Sequence, residues 1–260
     1  MARPVITGSL LAAAILTLVM KPDPGLAREK IHVLCWSERS EPATVYPNGI
    51  NGALVEMLAK EKDIAAEYAS IDDPEQGLSQ AALDKADVLI WFGHKKHAEV
   101  TEEHVDRIVN RVEAGMGYLP LHSAHYAHPF QKLLTLIAQK QGHPLEGTPG
   151  SWGKVKNESK PELIHILAPS HPIAHGVKDF TVPKTETYNN PFNAPKPDLK
   201  LLEGHYENGQ QDGNDGLLWN FGAGKVFYFR PGHETFPIFY QPEVRQILKN
   251  AVRFLATRTT

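Results

Sequence analysis

The chain carries one cysteine, Cys35, in 260 residues, so no disulfide can form within it. Cys35 lies inside the apolar run 31–36, where a thiol is expected to be buried and inert rather than nucleophilic. The same placement excludes a lipid-attached cysteine. An excess of one charge is also lacking: 27 Lys+Arg against 30 Asp+Glu leave a formal charge of -3, and basic residues are scattered apart from Lys95-Lys96. No nucleic-acid surface is therefore indicated. Internal repeats and low-complexity tracts are absent. The stretch Val5 to Met20 is apolar but too short for a comfortable membrane span.

That stretch follows Arg3 and precedes Gly25-Leu26-Ala27, small residues suited to a cleavage site. It reads as a signal peptide over 1–27, leaving 28–260 as an exported or periplasmic domain with no membrane contact beyond the signal segment. Two rivals stay open, an uncleaved anchor and a cytoplasmic protein that starts at Met20.

What remains is rich enough to bury a core. Hydrophobic residues make up 42% and charged residues 22%, an ordinary globular balance. Four apolar runs end abruptly in polar residues. Residues 31–36 give way to Ser37-Glu38-Arg39, 86–92 to Gly93-His94-Lys95-Lys96-His97, 117–121 to His122-Ser123-Ala124-His125, and 227–229 to Arg230-Pro231-Gly232-His233-Glu234. Helical patterns fall between such runs. One is predicted over 52–60, with Leu54, Val55 and Leu58 inward. A second has Thr101 as N-cap and a stripe of Val105, Ile108, Val109 and Val112, ended by Gly115. A third starts at Pro242 and buries Val244, Ile247, Leu248, Ala251 and Leu255. Strand, polar tip and helix in this order predict a parallel sheet with helices on both faces, and all four tips then share its carboxyl rim, where α/β sheets bind ligands. Between 142 and 216 prolines and glycines crowd the chain, as in the turn-rich stretch 207–216. Short strands near 163–167, 186–190 and 199–204 predict a β-rich insertion or flank that covers the rim.

A strand end capped by ordinary surface residues would explain any one tip. Repetition favours a site. His94, His122, His125 and His233 are candidate ligands for a divalent metal, zinc or manganese, with Glu38 or Glu234 as carboxylate partner; no compact metal motif such as His-Glu-x-x-His is present. The alternative is metal-free acid/base chemistry by a histidine and a carboxylate, with Arg230 steadying an oxyanion. His122, His233, Glu234 and Arg230 are the catalytic candidates. Glu186 and Tyr188, which alternate on one strand face, and Phe192 beside them are candidate sugar contacts, with Trp36 and Glu38 joining them at the first tip. The bland reading of 185–192 is a polar loop.

The strings 87–94, 121–125, Ser170-His171-Pro172-Ile173-Ala174, Glu186-Thr187-Tyr188 and Phe229-Arg230-Pro231-Gly232-His233-Glu234, in this order from about residue 31 to 255, resemble the trehalose-utilisation (ThuA-like) family. The resemblance implies an α/β fold of the flavodoxin-like, class I glutamine-amidotransferase-like kind, a three-layer sandwich with a mostly parallel sheet. It also implies a role in the use of trehalose or related disaccharides. Amidotransferases carry a cysteine on a strand-to-helix elbow of the type Gly-x-Cys-x-Gly, with a histidine and a glutamate after a later strand. Here His122 stands at the cysteine position, or Ser123 if the register slips by one, and neither flanking glycine is present. Glutamine hydrolysis through a thiolate is not expected. Two functions follow as expectations: an enzyme that isomerises, eliminates or hydrolyses a trehalose-type disaccharide or its keto derivative, or a non-catalytic sugar-binding module on the same scaffold. A small-molecule sugar is the expected partner, in a chain that can self-associate as a homo-oligomer.

Overall fold

The computed structural model describes Met1, residues 30–206 and residues 213–257, with the backbone alone for 154–158. Residues 2–27 of the segment expected to be a signal peptide, and the 207–212 part of the turn-rich stretch, lie outside the described residues. In chain order the elements are β1 (Ile31–Ser37), α1 (Gly49–Leu58), β2 (Ile64–Ser70), α2 (Gln80–Lys85), β3 (Val88–Phe92), α3 (Glu102–Glu113), β4 (Gly117–Leu121), α4 (His128–Lys140), β5 (Gly153–Ile166), β6 (Phe180–Asn189), β7 (Leu199–His205), β8 (Gly216–Phe221), β9 (Gly224–Phe229) and α5 (Pro242–Leu255).

Among the described residues, the strands join one nine-stranded sheet in the order β2-β1-β3-β4-β9-β8-β7-β5-β6. Neighbours from β2 to β9 run parallel, and those from β9 to β6 antiparallel. The region expected as an insertion or β-rich flank is thus a β-rich flank that extends the same sheet.

Alternation along each parallel strand sorts its side chains into two layers. Val33, Cys35, Ile90, Leu119, Phe227 and Phe229 face the layer that contains α1 and α5. Leu34, Trp36, Leu89, Trp91, Tyr118 and Tyr228 face the layer that contains α3 and α4. The predicted stripes of α3 and α5 are buried as expected. β9, which reads as half-buried in isolation, is buried along its whole length because helices cover both faces of the parallel part of the sheet. Cys35 is fully buried, and burial pushes its thiol well above the usual range, which leaves it unreactive as expected.

One topological fact positions the site. In a flat sheet β6 would lie four strand spacings from β9, about 19 Å away. Yet Arg230 Nη1, at the end of β9, donates to Glu186 O on β6 at 3.0 Å. The antiparallel extension therefore curls back over the carboxyl rim, and the register shifts between β5 and β6 at Gly153/Lys156, Asn157/Lys160 and Lys160/Glu162 supply the bend.

Candidate active site

The residue that ends β4 holds the site's strained backbone. His122 has φ +49, a left-handed conformation that costs a non-glycine residue energy and persists only where its surroundings hold it. Four contacts hold it. Tyr228 Oη donates to His122 O at 2.9 Å, and His122 Nδ1 lies 2.9 Å from Arg230 O. Ser123 Oγ donates to Gly93 O at 2.7 Å, which ties the elbow to the end of β3. Gly232 leaves the space beside the ring, since a Cβ there would come within 2.5 Å of His122 Cβ. Of the two registers open from sequence, the strained elbow residue is His122, and the Ser123 hydroxyl is engaged with a carbonyl.

From this elbow the His122 ring points to the curled-back strand. Its Nε2 lies 3.1 Å from Glu186 Oε2, and Tyr188 Oη donates to the same oxygen at 2.7 Å while standing 3.2 Å from His122 Nε2. His233 Nε2 is 3.8 Å from that oxygen. One carboxylate oxygen thus faces three protic side chains. His122 is fully buried and Glu186 is 1% exposed. Burial and the neighbouring Glu186 carboxylate hold the Tyr188 phenol well above its usual range, so it remains a hydrogen donor.

Outward from this centre, His233 Nδ1 lies 3.6 Å from Glu234 Oε2, and His94 Nε2 3.2 Å from Glu234 Oε1. Burial and the nearby His122 push His233 down to about 4 against the opposite pull of Glu234 and Glu186. His94 is the most open member, with a quarter of its side chain exposed, so the cluster meets solvent on this flank. His94 Nδ1 and Glu234 Oε2 are buried atoms without a hydrogen-bond partner among the described residues.

The other candidates fall into different places. Arg230 is fully buried, and its guanidinium is taken by Glu162, by Asp215 through Nε at 2.5 Å and by Glu186 O. The expected oxyanion role is thereby corrected: two carboxylates and a carbonyl already engage the cation, which locks the β9 tip to β5, β6 and the residue before β8. Gly204 makes room for that cluster, since a Cβ there would lie 2.2 Å from Glu162 Oε1. Trp36 is corrected too. It is 1% exposed, stacks on Trp91 at 3.7 Å and donates its indole N–H to Gln76 O, so it is a core residue rather than a sugar contact. Glu38 is buried and accepts from Ser40 Oγ and from the backbone N–H groups of Lys95 and Lys96. Burial raises its pKa, but these hydrogen bonds outweigh it and hold the carboxyl below the usual range. Its work is to fix the loop that presents His94.

His125 departs from the expected metal set. Its Nδ1 is bound to Gly150 O at 2.7 Å, its ring packs on Tyr188, and burial pushes it down to about 3. Phe192 stacks on Trp152 and Tyr228, and Trp152 in turn packs on Tyr188. Among the described residues, the group of donor atoms that lie within 4.8 Å of one another is His122, Glu186 and His233, so Glu186 stands where His94 and His125 were expected. Sequence reasoning also missed Glu162, Asp215 and Trp152. A signal for the first two existed: an arginine at the end of a buried strand requires buried counterions.

The fold matches solved structures. A ThuA-like protein from Parabacteroides merdae is 16% identical, with a TM-score of 0.64 over 89% of this chain and 92% of its own. A ThuA-like protein from Bacteroides uniformis is 17% identical, with a TM-score of 0.64 over 91% and 95%. A glutamine amidotransferase from Thermotoga maritima is 10% identical, with a TM-score of 0.52 over 88% and 99%. At these identities the likeness concerns the fold, which is that of class I amidotransferases. No curated protein matches the chain. The family model described as trehalose utilisation matches residues 32–255, nearly the whole α/β domain, and the chain therefore belongs to the ThuA family.

Proposed function

We propose that the protein processes a trehalose-type disaccharide, or its keto derivative, by proton transfer at the His122–Glu186–Tyr188 cluster. The observation that carries this reading is the single Glu186 oxygen that faces His122 Nε2 at 3.1 Å, Tyr188 Oη at 2.7 Å and His233 Nε2 at 3.8 Å. Proton donors and an acceptor thus stand within one sugar carbon's reach of each other, on the rim of a family with a carbohydrate role. With a keto sugar, the base formed by Glu186 and His122 takes the proton next to the carbonyl, and the electron pair moves onto the carbonyl oxygen. Tyr188 or His233 donates to that oxygen. Return of the proton at the other carbon completes an isomerisation. Loss of a glycosidic oxygen from the carbon beyond, protonated as it leaves, completes an elimination. Burial supports both outcomes, because a desolvated enolate is stabilised by fixed donors rather than by water.

The test is turnover of keto-disaccharides in deuterated water, followed by NMR of substrate and product. Wild type should exchange the hydrogen next to the carbonyl, and Glu186→Gln should slow exchange on the order of 100-fold or more. Equal exchange by both proteins would end the proton-transfer reading. Tight binding of the disaccharide with no exchange and no product would instead establish a non-catalytic sugar-binding module.

A further inference from the structure

His122 lies between two oxygens: Arg230 O is 2.9 Å from Nδ1, and Glu186 Oε2 is 3.1 Å from Nε2. A neutral imidazole carries one N–H and can satisfy only one of them. Whichever neutral tautomer is chosen, a nitrogen lone pair then faces an oxygen, and either a second proton on the ring or a metal ion in the gap removes that contact. Tyr188 does not resolve this, because its hydroxyl hydrogen already serves Glu186 Oε2 at 2.7 Å. Arg230 does not either, since Glu162 and Asp215 engage its guanidinium.

The structure assigns a divalent-cation site to His122 Nε2, Glu186 and His233 Nε2, a two-histidine, one-carboxylate set suited to zinc or manganese. The three donor atoms lie within 4.8 Å of one another, and Glu186 Oε2 stands 3.1 Å from His122 Nε2 and 3.8 Å from His233 Nε2. Ligands about 2.1 Å from one ion sit about 3.0–3.4 Å apart, so the Glu186–His122 edge fits, and the two edges to His233, one at 3.8 Å and one within 4.8 Å, close with an inward shift of His233. The contact behind His122 also fits: its Nδ1 has Arg230 O as acceptor, the arrangement that leaves Nε2 bare for a metal. His233 Nδ1 accepts from the Thr235 N–H at 3.1 Å, so binding at Nε2 requires this N–H to turn away and Nδ1 to donate to Thr235 Oγ1 at 2.6 Å or toward Glu234 Oε2 at 3.6 Å. Glu234 Oε2 and His94 Nδ1, without hydrogen-bond partners among the described residues, border the open flank, where water or a sugar hydroxyl would complete the coordination shell.

This site coincides with the one read as sugar-processing, and it rests on that reading only for its use: with an ion bound, the ion would polarise the sugar carbonyl in place of Tyr188 or His233, and Glu234 would take the proton in place of the ligands Glu186 and His122. Its existence is tested without turnover. Chelator-treated full-length protein is titrated with zinc by calorimetry and with manganese by electron paramagnetic resonance. One ion per chain is expected. Binding should be lost in His233→Ala and in Glu186→Gln, with thermal melts confirming that at least one variant stays folded, and kept in His94→Gln and His125→Gln. Absence of binding by the wild type would overturn the assignment, as would binding unchanged in both ligand variants. So would binding that disappears only in His165→Ala or His205→Ala, the surface pair whose rings are 4.3 Å apart. One ion per chain at these residues, with no action on any keto-disaccharide, would keep the metal site and remove the sugar-processing reading.

Discussion

Gly232 stands against the His122 ring so closely that a methyl group on its α-carbon would lie 2.5 Å from His122 Cβ and 2.9 Å from Cγ. No relaxed structure holds such contacts, so Gly232→Ala must displace either the elbow or the β9 tip. A destabilisation of about 1–3 kcal/mol is expected from the overpacking, with a larger proportional loss of activity as His122 leaves Glu186. Chemical denaturation alongside keto-disaccharide turnover checks both. An unchanged rate would mean that the position of His122 is unimportant.

Asparagine tolerates a left-handed backbone better than most residues and cannot transfer protons as imidazole does. His122→Asn should therefore melt near the wild-type temperature while losing activity on the order of 100-fold or more. If the variant unfolds instead, His122 is a structural residue first.

Removal of the Arg230 cation would leave Glu162 and Asp215 buried without it. Arg230→Met is expected to destabilise the fold by about 3–5 kcal/mol in urea denaturation, the cost typical of breaking a buried pair from one side. Selective loss of turnover with stability intact would restore the oxyanion role that the ion pairs argue against.

Tyr188→Phe removes the hydroxyl that donates to Glu186 at 2.7 Å. A hydrogen bond to a charged partner is worth about 1.5–3 kcal/mol, so binding or turnover should fall by roughly ten- to a hundredfold without unfolding. Paired titrations of wild type and variant with a keto-disaccharide decide it, and equal affinities and rates would remove β6 from the site.

Stability should fall on mild acidification. Burial, against the opposing hydrogen bond to Gly150 O and helped by the neighbouring His122 and His97, pushes His125 down to about 3 from 6.5; burial, helped by His94 and His128 and opposed by Glu38, pushes His97 down to about 4 from 6.5. A histidine with a depressed folded pKa binds fewer protons folded than unfolded, so its stability contribution is present above 6.5 and drains away as pH falls toward the folded values. Thermal melts across that window should show a steady decline, shallower in His125→Gln. A slope unaffected by that substitution would assign the acid sensitivity to other groups.

The sequence by itself determined the layers and the rim. Runs such as 117–121 and 227–229, each ending in polar residues, and the stripes of α3 and α5 carry their periods in local residue order, which needs no distant partner to be read. β2, with its sequence Ile-Ala-Ala-Glu-Tyr-Ala-Ser, is an edge strand with a mixed burial pattern and shows no such period. Only the tertiary structure decided which rim residues meet. Glu186 is 64 residues from His122 and reaches it because bulges in the β5–β6 pair curl the sheet. Arg230 and His233 are three residues apart at one strand end, yet one is neutralised in the interior by Glu162 and Asp215 while the other faces the open flank. Which way a side chain points at a strand end, and whether a buried charge is already matched, depend on backbone curvature and on counterions far away in sequence, so local residue order could name the site's members but not their roles.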